Sequence, residues 1–147
     1  ASFAERLNCL AEVPLVEAKE SMPIMDGTVY VAPGGYHMVV QDRRIRLLDT
    51  DKIHGVKPAV DPLFESVVNI FGQKTLGILL TGMGRDGAKG CLKIKQSGGH
   101  VLVQDEKTCV VYGMPRHAVD LGAVDEILPI EEIIKKIKEI VTEEHDE

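Results

Sequence analysis

The fold is decided by the stretch Leu76-Gly77-Ile78-Leu79-Leu80-Thr81-Gly82-Met83-Gly84-Arg85-Asp86-Gly87-Ala88-Lys89-Gly90. An apolar run, too short to cross a membrane, breaks into a glycine-rich turn that carries one acid and then continues in a helical pattern. This order predicts a strand, a loop and a helix, the arrangement in which α/β proteins build ligand-binding and catalytic loops. Asp86 is the acid of that turn, and its role bears directly on the function.

The chain after this stretch alternates between strand patterns and helix patterns. The predicted elements are strands at residues 75–81, 100–104 and 124–128 and helices at residues 87–97 and 115–121. Continuous apolar strands that alternate with helices are typical of a parallel sheet with helices on both faces. A final helix from Ile130 to Val141 carries an isoleucine stripe that we expect a sheet face to cover, and we expect the charged tail after it to fray. The pattern therefore predicts a mainly parallel α/β sheet with helices on its faces.

The first half predicts a small, partly antiparallel region beside that sheet. A capping box at residues 2–5 predicts a helix at the start, and β-rich segments follow at residues 13–18, 28–32, 37–41 and 44–48. Asp61-Pro62 is predicted to cap a helix with an apolar stripe, which Gly72 ends. A length of 147 residues suits one domain, so we expect a single domain over residues 1–147.

Charge and composition exclude several functions. The chain holds 17 basic and 23 acidic residues, a net charge of −6, which argues against nucleic-acid binding because phosphate contacts need clustered Lys and Arg. No apolar run approaches the roughly 20 residues that a membrane helix needs, so we expect no membrane insertion and a cytoplasmic location. Cys9, Cys91 and Cys109 are widely spaced and predict buried, reduced thiols, with neither a disulfide framework nor a zinc site.

The glycines of the central turn leave three interpretations of Asp86 open. Gly82-x-Gly84-x-x-Gly87 is a dinucleotide-binding string, and Asp105 lies at the distance expected of a ribose-binding acid. An acid inside that string opposes a bound pyrophosphate, because both anions would compete for the N-terminus of one helix. The same placement suits an acid that orients a histidine in a catalytic triad, and it also suits a plain capping aspartate.

Other polar residues are weaker candidates. Ser97 begins a Ser-Gly-Gly turn that is better explained as the end of a helix. His37 follows a turn from which it could reach a cleft, although an exposed loop position is more common. His117 is expected at the surface, and a Cys109–His117 dyad is disfavoured because working dyads usually converge from separate segments. The remaining histidines, without partners evident in the sequence, are His54, His100 and His145.

Several motifs together resemble the catalytic domain of chemotaxis receptor methylesterases. The central one is Leu79-Leu80-Thr81-Gly82-Met83-Gly84-Arg85-Asp86-Gly87. The others are Gln104-Asp105-Glu106-Lys107-Thr108-Cys109-Val110-Val111-Tyr112-Gly113-Met114-Pro115, Val29-Tyr30-Val31-Ala32-Pro33-Gly34-Gly35-Tyr36-His37, Phe3-Ala4-Glu5-Arg6-Leu7-Asn8 and Pro58-Ala59-Val60-Asp61. Because these motifs occur in the right order across nearly the whole chain, the resemblance is more specific than the glycine string alone.

The resemblance implies a doubly wound, mainly parallel, Rossmann-like α/β fold. It also implies a serine hydrolase that cleaves glutamate γ-methyl esters on methyl-accepting chemotaxis receptors and deamidates particular glutamines, without a cofactor or metal. It assigns Asp86 as the acid of a Ser-His-Asp triad and places Met83, Gly82 and Gly84 beside the oxyanion hole. It also implies a receiver domain ahead of the catalytic domain. In that family the serine and the histidine precede the segment that matches Ala1 onward. The chain is therefore expected to be an N-terminally truncated catalytic domain that is inactive by itself.

Overall fold

The computed structural model describes residues 13–146, with side chains described as far as residue 140. The helix predicted to start with the capping box at residues 2–5, the burial of Cys9 and the side chain of His145 lie outside this part. Among the described residues, no helix is both long and apolar enough to cross a membrane.

Two small sheets form the first half of the described chain. Strand β1 (Leu15–Glu17) pairs in parallel with β2 (Val29–Val31), and β3 (His37–Gln41) pairs antiparallel with β4 (Arg44–Leu48). Ala18, Met38 and Ile45 are buried there against Leu63 of the first helix, α1 (Val60–Phe71). The partly antiparallel region predicted from the sequence is confirmed, with β1 and β2 shorter than predicted.

The second half is a parallel three-stranded sheet. Strand β5 (Leu76–Leu79) is followed by α2 (Ala88–Gln96), β6 (His100–Gln104), α3 (Met114–Asp120), β7 (Glu126–Leu128) and α4 (Ile130–Asp146). The strand order is β5-β6-β7, and both pairings are parallel. The predicted alternation is confirmed, and each element lies within two residues of its predicted bounds except α4, which continues to Asp146 through the tail that we expected to fray.

Helices cover both faces of the central strand. Val101 and Val103 of β6 belong to a core cluster with Cys91 and Ile94 of α2 and with Ala118 of α3. Since side chains alternate along a strand, Leu102 faces the opposite side. Leu102 is also fully buried, and α4 contacts β6. This arrangement is the doubly wound α/β class that the sequence predicts.

The isoleucine stripe of α4 is covered only in part. Ile133 is buried, whereas Ile134 is 47% exposed and Ile137 is 39% exposed. The expectation that a sheet face covers the whole stripe is therefore wrong for the described structure. In the part of the chain that the structure describes, the sheet ends at β7, which is three residues long, so α4 has little sheet surface on which to pack.

Candidate active site

The glycine-rich turn connects β5 to α2 at the carboxyl end of the sheet, where α/β proteins place ligands and catalytic groups. Gly87 has φ +96°, and a Cβ there would lie 2.6 Å from a methyl group of Leu79. Only glycine can therefore turn the chain this close to the strand. This turn fixes the direction in which Asp86 leaves the loop.

The Asp86 carboxylate binds the N-terminus of α1, a helix that begins 26 residues earlier in the chain. Its Oδ2 accepts the backbone N–H of Val60 at 2.6 Å, and its Oδ1 accepts the N–H of Asp61 at 3.1 Å. The side chain is only 6% exposed. A negative charge is favourably placed at this positive end of the helix dipole.

All N–H groups at the start of α1 have a partner or are absent. His37 Nδ1 accepts the N–H of Ala59 at 3.1 Å, Asp86 accepts the next two, and Pro62 has no N–H. These are the donors that a helix cannot satisfy by itself. The predicted cap at Asp61 is thus wrong, because Asp61 lies inside the first turn and side chains from distant segments cap the helix.

Asp61 performs the reciprocal task for α2. Its Oδ1 accepts the N–H of Gly90 at 2.9 Å, and Asp61 as a residue is also 6% exposed. A Cβ on Gly90 would lie 2.7 Å from Cβ of Phe64, so glycine lets the two helices pack closely. Asp86, just before α2, binds the N-terminus of α1, and Asp61 of α1 binds the N-terminus of α2. These reciprocal contacts hold Asp86 against a rigid pair of helices.

A histidine extends this network to the surface. His54 Nε2 lies 3.0 Å from Asp61 Oδ2, and Arg85 Nε donates to His54 Nδ1 at 3.1 Å. Arginine can only donate, so Nδ1 of His54 is an acceptor and Nε2 carries the proton that Asp61 receives. The order of contacts is Asp61, His54 and Arg85, from the interior to the solvent.

The segment after β6 supports the loop from the other side. The N–H of Thr81 donates to Gln104 Oε1 at 2.8 Å, and the Thr81 hydroxyl bonds both the N–H and the carbonyl of Val111. The carbonyl of Gly82 accepts the N–H groups of Gly113 and Met114. Two of the motifs that carry the family resemblance, residues 79–87 and 104–115, are therefore in direct contact, and the second holds the first in place.

The exposed part of the loop lines a cavity of about 230 Å³ together with Asp86. Met83, Gly84, His54 and Met114 contribute to its wall. Met83 is 82% exposed. Within residues 13–146, the N–H groups of Met83 and Gly84 have no hydrogen-bond acceptor. The cavity is therefore lined by a fixed carboxylate and by a loop segment with unpaired backbone donors, which are groups that a hydrolase uses.

The donor atoms of His54, Asp61 and Asp86 lie within 4.8 Å of one another, a spacing that could hold a metal ion. Their hydrogen bonds argue against this use. Each carboxylate oxygen already accepts an N–H, and the Nε2 atom of His54 carries a proton. The guanidinium of Arg85 next to His54 would also repel a cation. The cluster is better described as a hydrogen-bond network.

The geometry does not favour the dinucleotide interpretation. Asp61 already occupies the N-terminus of α2, where a pyrophosphate would bind. The Asp105 carboxylate accepts the N–H and hydroxyl of Thr108 at 3.0 and 2.6 Å, which makes it a turn-forming residue. The helix N-terminus and the acid that a dinucleotide site would need are thus both occupied by contacts of the fold.

His37 lies neither in a cleft nor in an exposed loop, the two positions considered from the sequence. It is 1% exposed, and its Nε2 donates to the carbonyl of Asp51 at 2.8 Å while Nδ1 accepts from Ala59. No local signal in the sequence marks this burial, because it arises from the packing of β3 on α1. His37 positions the start of α1.

The other candidates take structural positions. Ser97 ends α2 as predicted, and His117 is exposed as predicted, with Nδ1 bound to the carbonyl of Gly113. Burial raises the pKa of the Cys91 thiol to about 12, and burial also raises the pKa of Cys109. Both are free thiols, and Cys109 is half-buried where a buried thiol was expected. A raised pKa makes neither thiol a good nucleophile.

Sequence reasoning missed His54, Asp61 and Gln104 as parts of the site. His54 has no partner nearby in sequence apart from Asp61, which it meets across a turn. Gln104 ends an apolar strand, yet it is buried and bonds both Thr81 and the carbonyl of Thr108. A polar residue within an otherwise apolar buried strand was the one signal that could have identified Gln104.

The CheB methylesterase family model matches residues 1–137. A Pyrococcus horikoshii protein named protein-glutamate methylesterase/protein-glutamine glutaminase is 44% identical over 144 residues, which cover 95% of this chain and 39% of that protein. A Pseudomonas aeruginosa protein named protein-glutamate methylesterase/protein-glutamine glutaminase 2 is 50% identical over 136 residues, which cover 90% of this chain and 39% of that protein.

The fold agrees with this sequence similarity. The crystal structure of the Thermotoga maritima CheB methylesterase catalytic domain matches with a TM-score of 0.88 and 39% identity, covering 95% of this chain and 76% of that one. The chain spans about two fifths of the length of the curated relatives it matches. Both the sequence model and the solved structure therefore agree that the chain belongs to the CheB methylesterase family.

Proposed function

We propose that this chain carries the acid of a Ser-His-Asp triad in a protein-glutamate methylesterase, with Asp86 as that acid. The observation that carries the proposal is the environment of the Asp86 carboxylate. It is held by two backbone N–H groups and borders a cavity that also exposes Met83 and Gly84. The names of the relatives point to the same reaction and to a second one, deamidation of protein glutamines.

The carboxylate has room for a histidine. A carboxylate offers about four lone-pair positions, and the N–H groups of Val60 and Asp61 occupy two of them. A third can accept Nδ1–H of an imidazole, which would fix the tautomer whose Nε2 takes the proton of a serine hydroxyl. Because two backbone donors hold the carboxylate, it stays in place while the histidine gains and loses its proton.

The free N–H groups of the loop suit the next step. Attack of the serine oxygen on the ester carbonyl places a negative charge on the carbonyl oxygen, and backbone donors stabilise that charge. We assign this role to the region of Gly82, Met83 and Gly84, since the amides of Met83 and Gly84 lack acceptors within the described residues. The histidine gives the proton it took from the serine to the departing methoxide, and methanol leaves. Water then cleaves the ester between the serine and the substrate, which releases the glutamate and restores the serine hydroxyl.

The serine and the histidine would come from the length of the relatives that this chain does not span. We therefore place the activity in a full-length protein. Residues 1–147 would form a single catalytic domain of that protein, truncated at the N-terminus so that the serine and histidine segments are not part of this chain. We further propose methyl-accepting chemotaxis receptors as substrates, a receiver domain ahead of the catalytic domain and a cytoplasmic location.

Methanol release from a methylated receptor fragment by the full-length protein tests the assignment. We expect Asp86→Asn to lower kcat by roughly 10⁴, because an asparagine stabilises the wrong histidine tautomer. The matched control is Asp61→Asn, which alters the same helix contact. It should lower kcat by less than about tenfold, since it removes no member of the triad.

Circular dichroism and thermal unfolding would accompany both variants. A folded Asp86→Asn protein that releases methanol at a near-normal rate contradicts the proposal. Equal losses of kcat in the two variants would also contradict it, because Asp86 would then matter only as a helix cap.

A further inference from the structure

A second cavity, of about 330 Å³, lies beside the one that contains Asp86. Its wall includes Arg85, Lys89, His54 and His117, with Asp120 as its one acid among the described residues. The chain as a whole carries a net charge of −6. Arg85 and Lys89 give this wall two positive charges against the one negative charge of Asp120. On an acidic protein this is a local reversal of charge, which favours an anionic ligand.

The acid in the wall does not cancel this charge. Asp120 lies 4.0 Å from Arg116 on the same helix, so a further cation already faces it. Lys89 is exposed, and no ion pair of Lys89 occurs within residues 13–146. Arg85 and Lys89 therefore both have charged groups available to a ligand.

Arg85 is held at this place by the buried network. Its Nε donates to His54, whose other nitrogen donates to Asp61, a 6% exposed carboxylate. In the described structure the terminal nitrogens of the Arg85 guanidinium have no partner. An arginine with one nitrogen fixed and the others free is preorganised to bind a carboxylate with two hydrogen bonds.

Arg85 and His54 also line the cavity of Asp86, so they form a wall shared by the two cavities. A protein segment with its ester over Met83 and Asp86 would place neighbouring side chains against this wall. We propose that the basic cavity binds carboxylates that flank the ester on the protein substrate. Arg85 and Lys89 are the binding residues, and His54 and Asp61 position Arg85.

The inference rests on the proposed function in taking the anion to be part of the protein substrate. The step itself is a binding step, so binding without hydrolysis can test it. The probes are two fluorescein-labelled peptides, one of alanine and glutamate and one with every glutamate replaced by glutamine. Fluorescence anisotropy at low salt would measure their Kd for the full-length protein.

We expect the glutamate peptide to bind about tenfold more tightly than the glutamine peptide, as a few charge-assisted hydrogen bonds would give. Arg85→Gln should reduce this preference to less than about twofold, and His54→Leu to about threefold, because a leucine cannot accept the hydrogen bond of Arg85. The control is Lys135→Gln, which removes one positive charge from α4, a helix with no residue in this cavity, and should retain the preference.

Equal affinity for both peptides in the unaltered protein would overturn the inference. An unchanged preference in Arg85→Gln, or a loss in Lys135→Gln as large as in Arg85→Gln, would overturn it as well. Methanol release from the methyl ester of the glutamate peptide is recorded separately. Its absence alongside an intact, Arg85-dependent preference would contradict the proposed function and support the anion site.

Discussion

Met83 and Asp86 lie in the same loop, yet 82% of Met83 is exposed and only 6% of Asp86 is. The difference comes from where each part of the loop finds its hydrogen bonds. Asp86 binds the first amides of α1, whereas the amides of Met83 and Gly84 have no acceptor within residues 13–146. A loop of this kind can hold an acid rigidly and still present free donors to a ligand.

The same comparison explains why the fold needs buried charge. A buried carboxylate is costly unless hydrogen bonds satisfy it, and Asp86 and Asp61 each receive backbone N–H groups from the opposite helix. The two helices α1 and α2 thereby fix each other. Predicted effects of substitutions should therefore be large in the buried half of the loop and small in the exposed half.

Alanine substitutions of Asp86 and Met83 test most sharply whether the two halves of the loop differ in this way. Asp86→Ala should lower the free energy of unfolding by about 2–4 kcal/mol, because it leaves two buried N–H groups without an acceptor. Met83→Ala should change it by less than about 0.5 kcal/mol, as expected for an exposed side chain. Urea unfolding of the domain that contains this chain measures both, and similar values for the two variants would refute the division of the loop.

A substitution at Gly113 tests whether the segment after β6 supports the exposed half of the loop, residues Gly82 to Gly84. A Cβ there would lie 2.6 Å from the carbonyl oxygen of Gly82 and 3.0 Å from the nitrogen of Gly84, both backbone atoms. Gly113→Ala should therefore cost about 1–3 kcal/mol, as overpacking does. The matched control is Gly34→Ala, where a Cβ meets nothing within 4 Å and the cost should stay below about 0.5 kcal/mol. Equal thermal midpoints for the two variants would show that the loop is not supported in this way.

Cys91, buried on α2 behind the acid, gives a smaller effect that depends on pH. Burial raises the pKa of its thiol from 9.0 to about 12. Between these values the unfolded chain loses the thiol proton and the folded protein keeps it, so stability falls as pH rises. From pH 8 to pH 10 we expect this group to remove about 1 kcal/mol, with no contribution below pH 8.

Urea unfolding of the unaltered protein and of Cys91→Ala at the two pH values isolates this contribution. The alanine variant starts from a lower stability because of the cavity, but it should lose about 1 kcal/mol less between pH 8 and pH 10. Identical losses would show that the thiol is hydrated and that the packing behind Asp86 is looser than the structure indicates.

The sheet and its helices could be predicted because their signals are local. Apolar runs and the punctuating glycines place β5, α2 and β6 within three residues at each end. The site could be predicted only in part, since its contacts join distant segments. Val60 and Asp86 are 26 residues apart, and His54 and Arg85 are 31 apart. A capping role for Asp86 could be considered from the sequence, but no local pattern indicates that the helix it caps is α1.

His37 is a second residue whose position could not be predicted from local sequence. A histidine after a Pro-Gly-Gly turn has the local signature of a loop residue, and only the tertiary contact of β3 with α1 buries it against Ala59. The resemblance to a family identified Asp86 as important, while the structure supplied the physical reason for its position.

The central claim is that Asp86 is an acid held in place to receive a histidine, and a crystal structure of the full-length protein tests it most directly. We predict a histidine nitrogen about 2.6–3.2 Å from an Asp86 carboxylate oxygen, with the bonds from Val60 and Asp61 retained. An Asp86 carboxylate bound only by those two amides, with no histidine in contact, would contradict the account.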